Sequence, residues 1–393
     1  MSFDTPIDRI GTHCVKWDMM ESLYGLPADE GLAMWVADMD FAPPASVQRT
    51  VERMASHGVY GYFGDDRDYL SSIQWWMETR HGWRIEPEQI LTTHGLVNGT
   101  GLVVDTFTAP GEGVVLMTPV YHAFARTIRA AGREVVECPL KLVAGRYEMD
   151  FDAWDARIAA FPGRVRMMVF CSPHNPGGRV WTGAELRGVA DFCQRHDLIL
   201  VSDEIHHDLV FPGQRHTVMA NAAPGIAGRL VMMTATTKTF NIAGCHTGNV
   251  IIPDPDLRQR FSARLMALGI SPNAFGMNMV PAAYSPEGAE WVDGLMAYLD
   301  GNRRLFDDGI AAIPGLRSMS LEATYLAWVD FSGTGMEGPE AIRRVEKAAK
   351  IATNHGAAFG TGGESFLRFN IATPRARVAE AVERLQRAFA DLQ

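Results

Sequence analysis

Residues 198–206 read Leu198-Ile199-Leu200-Val201-Ser202-Asp203-Glu204-Ile205-His206. Four apolar side chains follow one another without alternation, so both faces of the segment need cover, as in a strand inside a parallel sheet. Three other segments share this pattern. Residues 114–117 run into Thr118-Pro119-Val120-Tyr121, and residues 165–170 into Ser172-Pro173-His174-Asn175-Pro176-Gly177-Gly178. Residues 230–233 run into Thr234-Ala235-Thr236-Thr237-Lys238. Between the second and third segments in chain order, Thr182 and Glu185 have capping-box spacing, and Leu186, Val189, Ala190 and Cys193 mark one helical face. Strand–helix–strand alternation predicts an α/β fold with a mainly parallel, doubly wound sheet.

Farther along, residues 321–331 and 366–371 read as strands, separated by a helical stretch over 339–355 and followed by a final amphipathic helix over 377–392. This mixture predicts a smaller α+β domain. The expected division is a large domain over 48–286 and a small one formed by 1–47 and 287–393, with the boundary near Pro286.

Composition narrows the function. The chain has 393 residues, 47% of them apolar and 21% charged, which is ordinary globular usage. With 36 basic against 46 acidic side chains and no segregated basic patch, it is not expected to bind nucleic acid. No apolar run approaches the ~20 residues of a membrane helix, and the opening MSFDTPIDRI has no secretory apolar core. Five cysteines without CxxC spacing point to a reduced, cytoplasmic setting. Adjacent His206 and His207 do not share a face, and no third ligand follows at a suitable spacing, so no metal is expected.

In an open parallel sheet, ligands bind beyond the carboxyl ends of the strands. The four ends offer the Tyr121 ring, the Asn175 amide, the Asp203 carboxylate and the Lys238 amine. A desolvated lysine is a nucleophile toward carbonyls. A buried carboxylate needs a cation, and a protonated pyridine nitrogen would serve. An aromatic ring stacks on a planar heterocycle, and an amide donates to a ring hydroxylate. The set matches pyridoxal 5′-phosphate. The turn at Gly95, with Leu96 and Val97 opening an apolar helix, offers free backbone N–H groups for the phosphate, and Thr237 adds a hydroxyl. Other readings stand beside these: Asn175 as a turn residue, Tyr121 as a packing aromatic, Asp203 as a helix cap.

Asn175-Pro176-x-Gly178, Asp203-Glu204-Ile205-His206 and Thr237-Lys238-Thr239-Phe240-Asn241-Ile242-Ala243-Gly244 resemble the signatures of fold-type I pyridoxal-phosphate enzymes, the class I/II aminotransferase superfamily. Met34-Trp35-Val36-Ala37-Asp38-Met39-Asp40-Phe41, Gly61-Tyr62 and the histidine after Asp203-Glu204-Ile205 resemble its cystathionine β-lyase (MalY/PatB-like) branch. The resemblance implies an aspartate-aminotransferase-like fold, Lys238 as the Schiff-base lysine and proton carrier, Asp203 on the pyridinium and Asn175 on O3′. It also implies Tyr121 stacked on the ring and His206 where relatives often carry a tyrosine. Arg368 would grip the substrate carboxylate, or instead serve as a structural ion-pair partner. Trp35 and Ala37 would belong to a segment closing over the substrate, and Tyr62 would reach the partner's phosphate in a homodimer with shared sites. Two departures stand out. His246 occupies a position where many members place a phosphate-binding arginine, and Ala235 one where serine or threonine is common.

The implied reaction is β-elimination from cystathionine or a related S-substituted cysteine, giving a thiol, pyruvate and ammonia. An L-amino-acid aminotransferase would use the same residues. A regulatory protein with vestigial catalysis is a third reading, although a fused DNA-binding domain is not expected with fewer than fifty residues ahead of the sheet.

Overall fold

The computed structural model describes residues 3–271 and 273–392. Seven strands form the main sheet: β1 (Ile90–Thr93), β2 (Gly113–Leu116), β3 (Glu134–Glu137), β4 (Val165–Cys171), β5 (Ile199–Asp203), β6 (Leu230–Thr234) and β7 (Gly248–Ile251). Their order is β1-β7-β6-β5-β4-β2-β3. Strand β7 runs antiparallel to both its neighbours, and the other pairs are parallel. The helices that bear on the site are α1 (Arg67–His81), α2 (Leu96–Phe107), α3 (Gly183–Arg195), α4 (Thr236–Thr239), α5 (Pro286–Ala311) and α6 (Arg375–Ala388).

The unbroken apolar runs are explained by cover on both faces. Val114, Leu116, Met167, Val169, Ile199, Val201, Val231 and Met233 pack in one cluster with Leu102, Val103 and Phe107 of α2. The alternate positions Val115, Met168, Phe170, Leu200 and Met232 pack in the other with Leu186 and Val189 of α3. Full burial of each such side chain stabilises the fold by roughly 1.5–3 kcal/mol, so slipping a strand by one residue would gain nothing for either face. Register then aligns the carboxyl ends: Cys171 pairs with Asp203, and Asp203 with Met233. The residues following β2, β4, β5 and β6 therefore leave along one rim. Helix α3 starts as its capping box predicts, with Thr182 Oγ1 accepting from Glu185 N at 3.2 Å and Glu185 accepting from Thr182 N at 2.7 Å.

A second, antiparallel sheet contains β8 (Arg317–Ser318), β9 (Leu326–Asp330), β10 (Asn354–His355) and β11 (Phe366–Asn370), in the order β8-β9-β11-β10. Two expectations need correction here. The strand expected over 321–331 begins only at Leu326, because Thr324 has φ 73° and turns the chain. The helix expected over 339–355 spans only Gly338–Arg343 and a π turn over Arg344–Ala348. Lys350, at φ 54°, stops it, and Ile351–Ala352 then pairs in parallel with Leu32–Ala33.

That pairing starts the N-terminal segment toward the rim, and Asp40 anchors its far end. The fully buried Asp40 carboxylate accepts from Trp17 Nε1 at 3.0 Å, Arg9 Nη1 at 2.9 Å and Lys16 Nζ at 3.0 Å. Burial opposes its charge, but Lys16, Trp17 and Arg9 outweigh that and keep its pKa low. Asn241, in the left-handed region at φ 56°, pins the same segment through Met39 and Phe41.

Candidate active site

A cavity of about 230 Å³ opens at the rim where β2, β4, β5 and β6 end. Ten residues singled out in the sequence line it: Ala37, Gly95, Leu96, Val97, Tyr121, Asn175, Asp203, His206, Thr237 and Lys238. Each arrives by a short path from an ordered element. Asp203 is the last residue of β5, and Lys238 sits on the single turn α4 just after β6. Gly95, at φ 81°, caps α2 with no side-chain bond, so the first N–H groups of that helix stay free for an anion.

Electrostatics distinguish the polar groups. Burial raises the Asp203 pKa to about 7, against one hydrogen bond from Ile205 N at 3.1 Å. Burial lowers Lys238 to about 8, with Asp38 raising it and Arg368 lowering it further. Lys238 Nζ lies 2.5 Å from the Ala37 carbonyl, which also accepts from Tyr325 Oη at 3.1 Å. His206 is pushed down to about 3 by burial and by the charges of Lys238 and Arg368, so its imidazole is neutral; its buried Nδ1 has no hydrogen-bond partner among the described residues.

Arg368 and Trp35 do not line the cavity but are tied to it. Arg368, on β11, donates from Nη1 to Asn175 Oδ1 at 3.0 Å and from Nη2 to the Trp35 carbonyl at 3.0 Å. Its guanidinium lies 5.0 Å from the Phe359 ring centroid. Burial lowers its pKa to about 10, which leaves it cationic at neutral pH. Tyr62 stands apart. It is fully exposed in a separate groove with Val59, Tyr60 and Ala274.

The sequence reading passed over three contributors. Asn354 accepts from Arg368 Nη2, Tyr325 shares the Ala37 carbonyl, and His122 stacks on Tyr121 with centroids 5.1 Å apart. Asn354 reaches the site from the second sheet and Tyr325 from the residue just before its strand β9, so no local pattern marks them. His122 was visible beside Tyr121, but adjacency alone does not predict stacking. The two departures also resolve differently. His246 lines the cavity beside His94, whereas Ala235 is buried away from it.

Linear spacing also hid a cluster. The ligating atoms of His81, His207 and Asp208 lie within 4.8 Å of one another, with His81 reaching the pair from α1. The third residue absent from the local sequence therefore does arrive. The Asp208 carboxylate there is already engaged by an indole, a hydroxyl and an imidazole.

The cavity fits pyridoxal 5′-phosphate on its own terms. A desolvated acid with a raised pKa suits a cationic ring N–H, a desolvated amine suits an aldehyde, and a free helix N-terminus suits a phosphate. Comparison with known proteins agrees. Residues 36–385 match the family described as aminotransferase class I and II. Cystathionine beta-lyase PatB of Bacillus subtilis is 36% identical over 390 residues, covering 99% of this chain and 100% of that protein. Protein MalY of Escherichia coli is 31% identical, covering 97% and 96%. The crystal structure of cystalysin from Treponema denticola, which contains a pyridoxal 5′-phosphate cofactor, has a TM-score of 0.93 at 35% identity, covering 100% of this chain and 99% of that one. With the match running along nearly its whole length, the chain belongs to the class I and II aminotransferase family.

Proposed function

We propose that the protein is a pyridoxal-phosphate-dependent carbon–sulfur β-lyase that cleaves cystathionine or a related S-substituted cysteine to a thiol, pyruvate and ammonia. The observation carrying the cofactor is the convergence of Lys238, Asp203, Tyr121 and Asn175 on one cavity. The end-to-end similarity to a relative named cystathionine beta-lyase supports elimination over transamination.

Lys238 would hold the cofactor covalently and Asp203 its ring nitrogen. Tyr121 would stack on the ring, Asn175 would donate to its hydroxylate, and the α2 N-terminus with Thr237 and His246 would take the phosphate. When bound, the group supplies an electron sink conjugated to the substrate Cα. Arg368 presents a planar fork to the substrate carboxylate, held in place by Asn175, Asn354 and the Trp35 carbonyl. Once the substrate's amine has replaced it on the cofactor, the freed Lys238, whose amine is partly neutral near pH 8, would take the Cα proton as general base. Neutral His206 adds no charge beside it. Trp35 and Ala37 lie on the segment that covers the site and excludes water.

The site is completed by a second copy of the chain, with Tyr62 reaching the partner's phosphate; its full exposure in the single chain supports this. Five free thiols fit a reducing cytoplasm. No helix among the described residues is long and apolar enough to cross a membrane.

Mixing holoenzyme with L-cystathionine tests the reaction. Pyruvate released without an added keto acid is the expected result. Conversion of the cofactor to its amine form without pyruvate would instead establish a transaminase.

A further inference from the structure

Outside the lining of the cavity, Asp208 organises a second buried polar cluster. Its carboxylate is fully buried. One oxygen accepts from Trp76 Nε1 at 3.0 Å and stands 2.8 Å from His81 Nε2. The other accepts from Thr239 Oγ1 at 3.0 Å and stands 3.2 Å from His207 Nε2. His207 is fixed in turn on the Glu204 carbonyl by its backbone N–H, at 3.0 Å, and by ring Nδ1. Burial opposes charge on both partners, and each shifts the other against that burial. His207 is raised by Asp208, and Asp208 is held well below the usual carboxylate range by His207 and His81.

These bonds join three parts of the chain: α1, the turn that follows Asp203, and α4, where Thr239 is the neighbour of Lys238. The sheet alone does not fix the last two relative to each other. Pairing of β5 with β6 ends at Asp203 and Met233, short of Lys238, and α4 is one turn with no side-chain cap. The cofactor nevertheless demands a fixed spacing, because its ring nitrogen and its aldehyde-bearing carbon sit at opposite ends of one rigid ring.

We propose that Asp208 is a positioning residue: through the Thr239 hydroxyl it fixes the lysine turn against the turn carrying Asp203, and so sets the separation at which the cofactor ring is held. The inference rests on the cofactor placement proposed above. It treats His81 as a clamp on the carboxylate and gives no role to a metal ion, since an indole, a hydroxyl and an imidazole already engage the two oxygens.

The test compares Thr239→Val and Asp208→Asn with Thr239→Ser and Trp76→Phe. Each purified enzyme is resolved and retitrated with pyridoxal 5′-phosphate, following visible circular dichroism of the bound cofactor. Loss of one buried hydrogen bond to a charged group should raise the dissociation constant about tenfold in Thr239→Val and Asp208→Asn. The dichroism per bound cofactor should fall, and Thr239→Ser should restore both. Trp76→Phe removes another bond to the same carboxylate, but not one that joins the two turns. It should lower the thermal midpoint of the apo-protein while leaving the dissociation constant within about twofold of wild type. The proposal is overturned if Thr239→Val and Asp208→Asn bind cofactor like wild type, or if Trp76→Phe weakens binding as much as they do. Stoichiometric Zn²⁺ retained on dialysis by wild type and lost in His81→Ala would also overturn it. Failure of wild type itself to retain cofactor on Lys238 after borohydride reduction would instead remove the underlying placement.

Discussion

Asp203 and Lys238 are shifted by the same burial in opposite directions, each toward its neutral form. For Asp203 the consequence for stability has a definite sign. A carboxyl whose folded pKa is raised stabilises the fold below its unfolded value, and that contribution is lost as pH rises through about 7. Removing the charge should therefore help the apo-protein. Asp203→Asn is expected to raise its thermal midpoint at pH 8 by a few degrees relative to wild type, as read by calorimetry, while abolishing pyruvate release. His246 lines the cavity beside Gly95, where the proposed cofactor's phosphate would sit. Replacing it by arginine adds a charge-assisted fork, and His246→Arg should tighten cofactor binding about tenfold in an equilibrium titration. Individual residues were legible wherever a strand ended in chemistry. Lys238, Asp203, Asn175 and Tyr121 all meet at one cavity, as their places after apolar runs suggested. Asn354 and Tyr325 were not legible, because they meet the site only through the packing of a second sheet.

Among elements, the central strands were legible because burial on both faces leaves a run without alternation. The best-signalled helix, α3, was legible from its cap. Breaking that cap with Thr182→Ala should cost about 1 kcal/mol in urea unfolding and leave kcat for cystathionine unchanged, since the helix packs on the sheet face and none of its residues lines the cavity. The stretch over 339–355 was misread for an identifiable reason. Its composition suits a helix up to Ala349, but Lys350 takes a left-handed turn and the β-branched Ile351 finds a partner strand at Leu32. That partner lies more than three hundred positions away in sequence, and local propensity contains no record of it.

For the whole molecule, the α/β architecture and the mainly parallel sheet were predictable from alternation, whereas the antiparallel insertion of β7 between β1 and β6 was not. Tyr62 makes a molecular-scale prediction. If each site takes Lys238 from one chain and Tyr62 from its partner, inactive Tyr62→Ala and Lys238→Ala proteins should complement when mixed and reassociated. Half the dimers would be hybrids with one intact site, restoring about a quarter of wild-type turnover. Absence of recovery, with hybrids confirmed by mass spectrometry, would rule out sharing through this residue.

The Asp40 anchor has a practical corollary. Its counter-charges Arg9 and Lys16 come from the first twenty residues, although the segment it secures ends at the catalytic rim. Trimming those residues to tidy an expression product would leave Asp40 with Arg377, at 3.6 Å, as its ion-pair partner, and would loosen the segment that carries Trp35 and Ala37. Such a shortened enzyme should keep its yellow colour yet lose much of its grip on small amino acids, a defect easily mistaken for a poor choice of substrate.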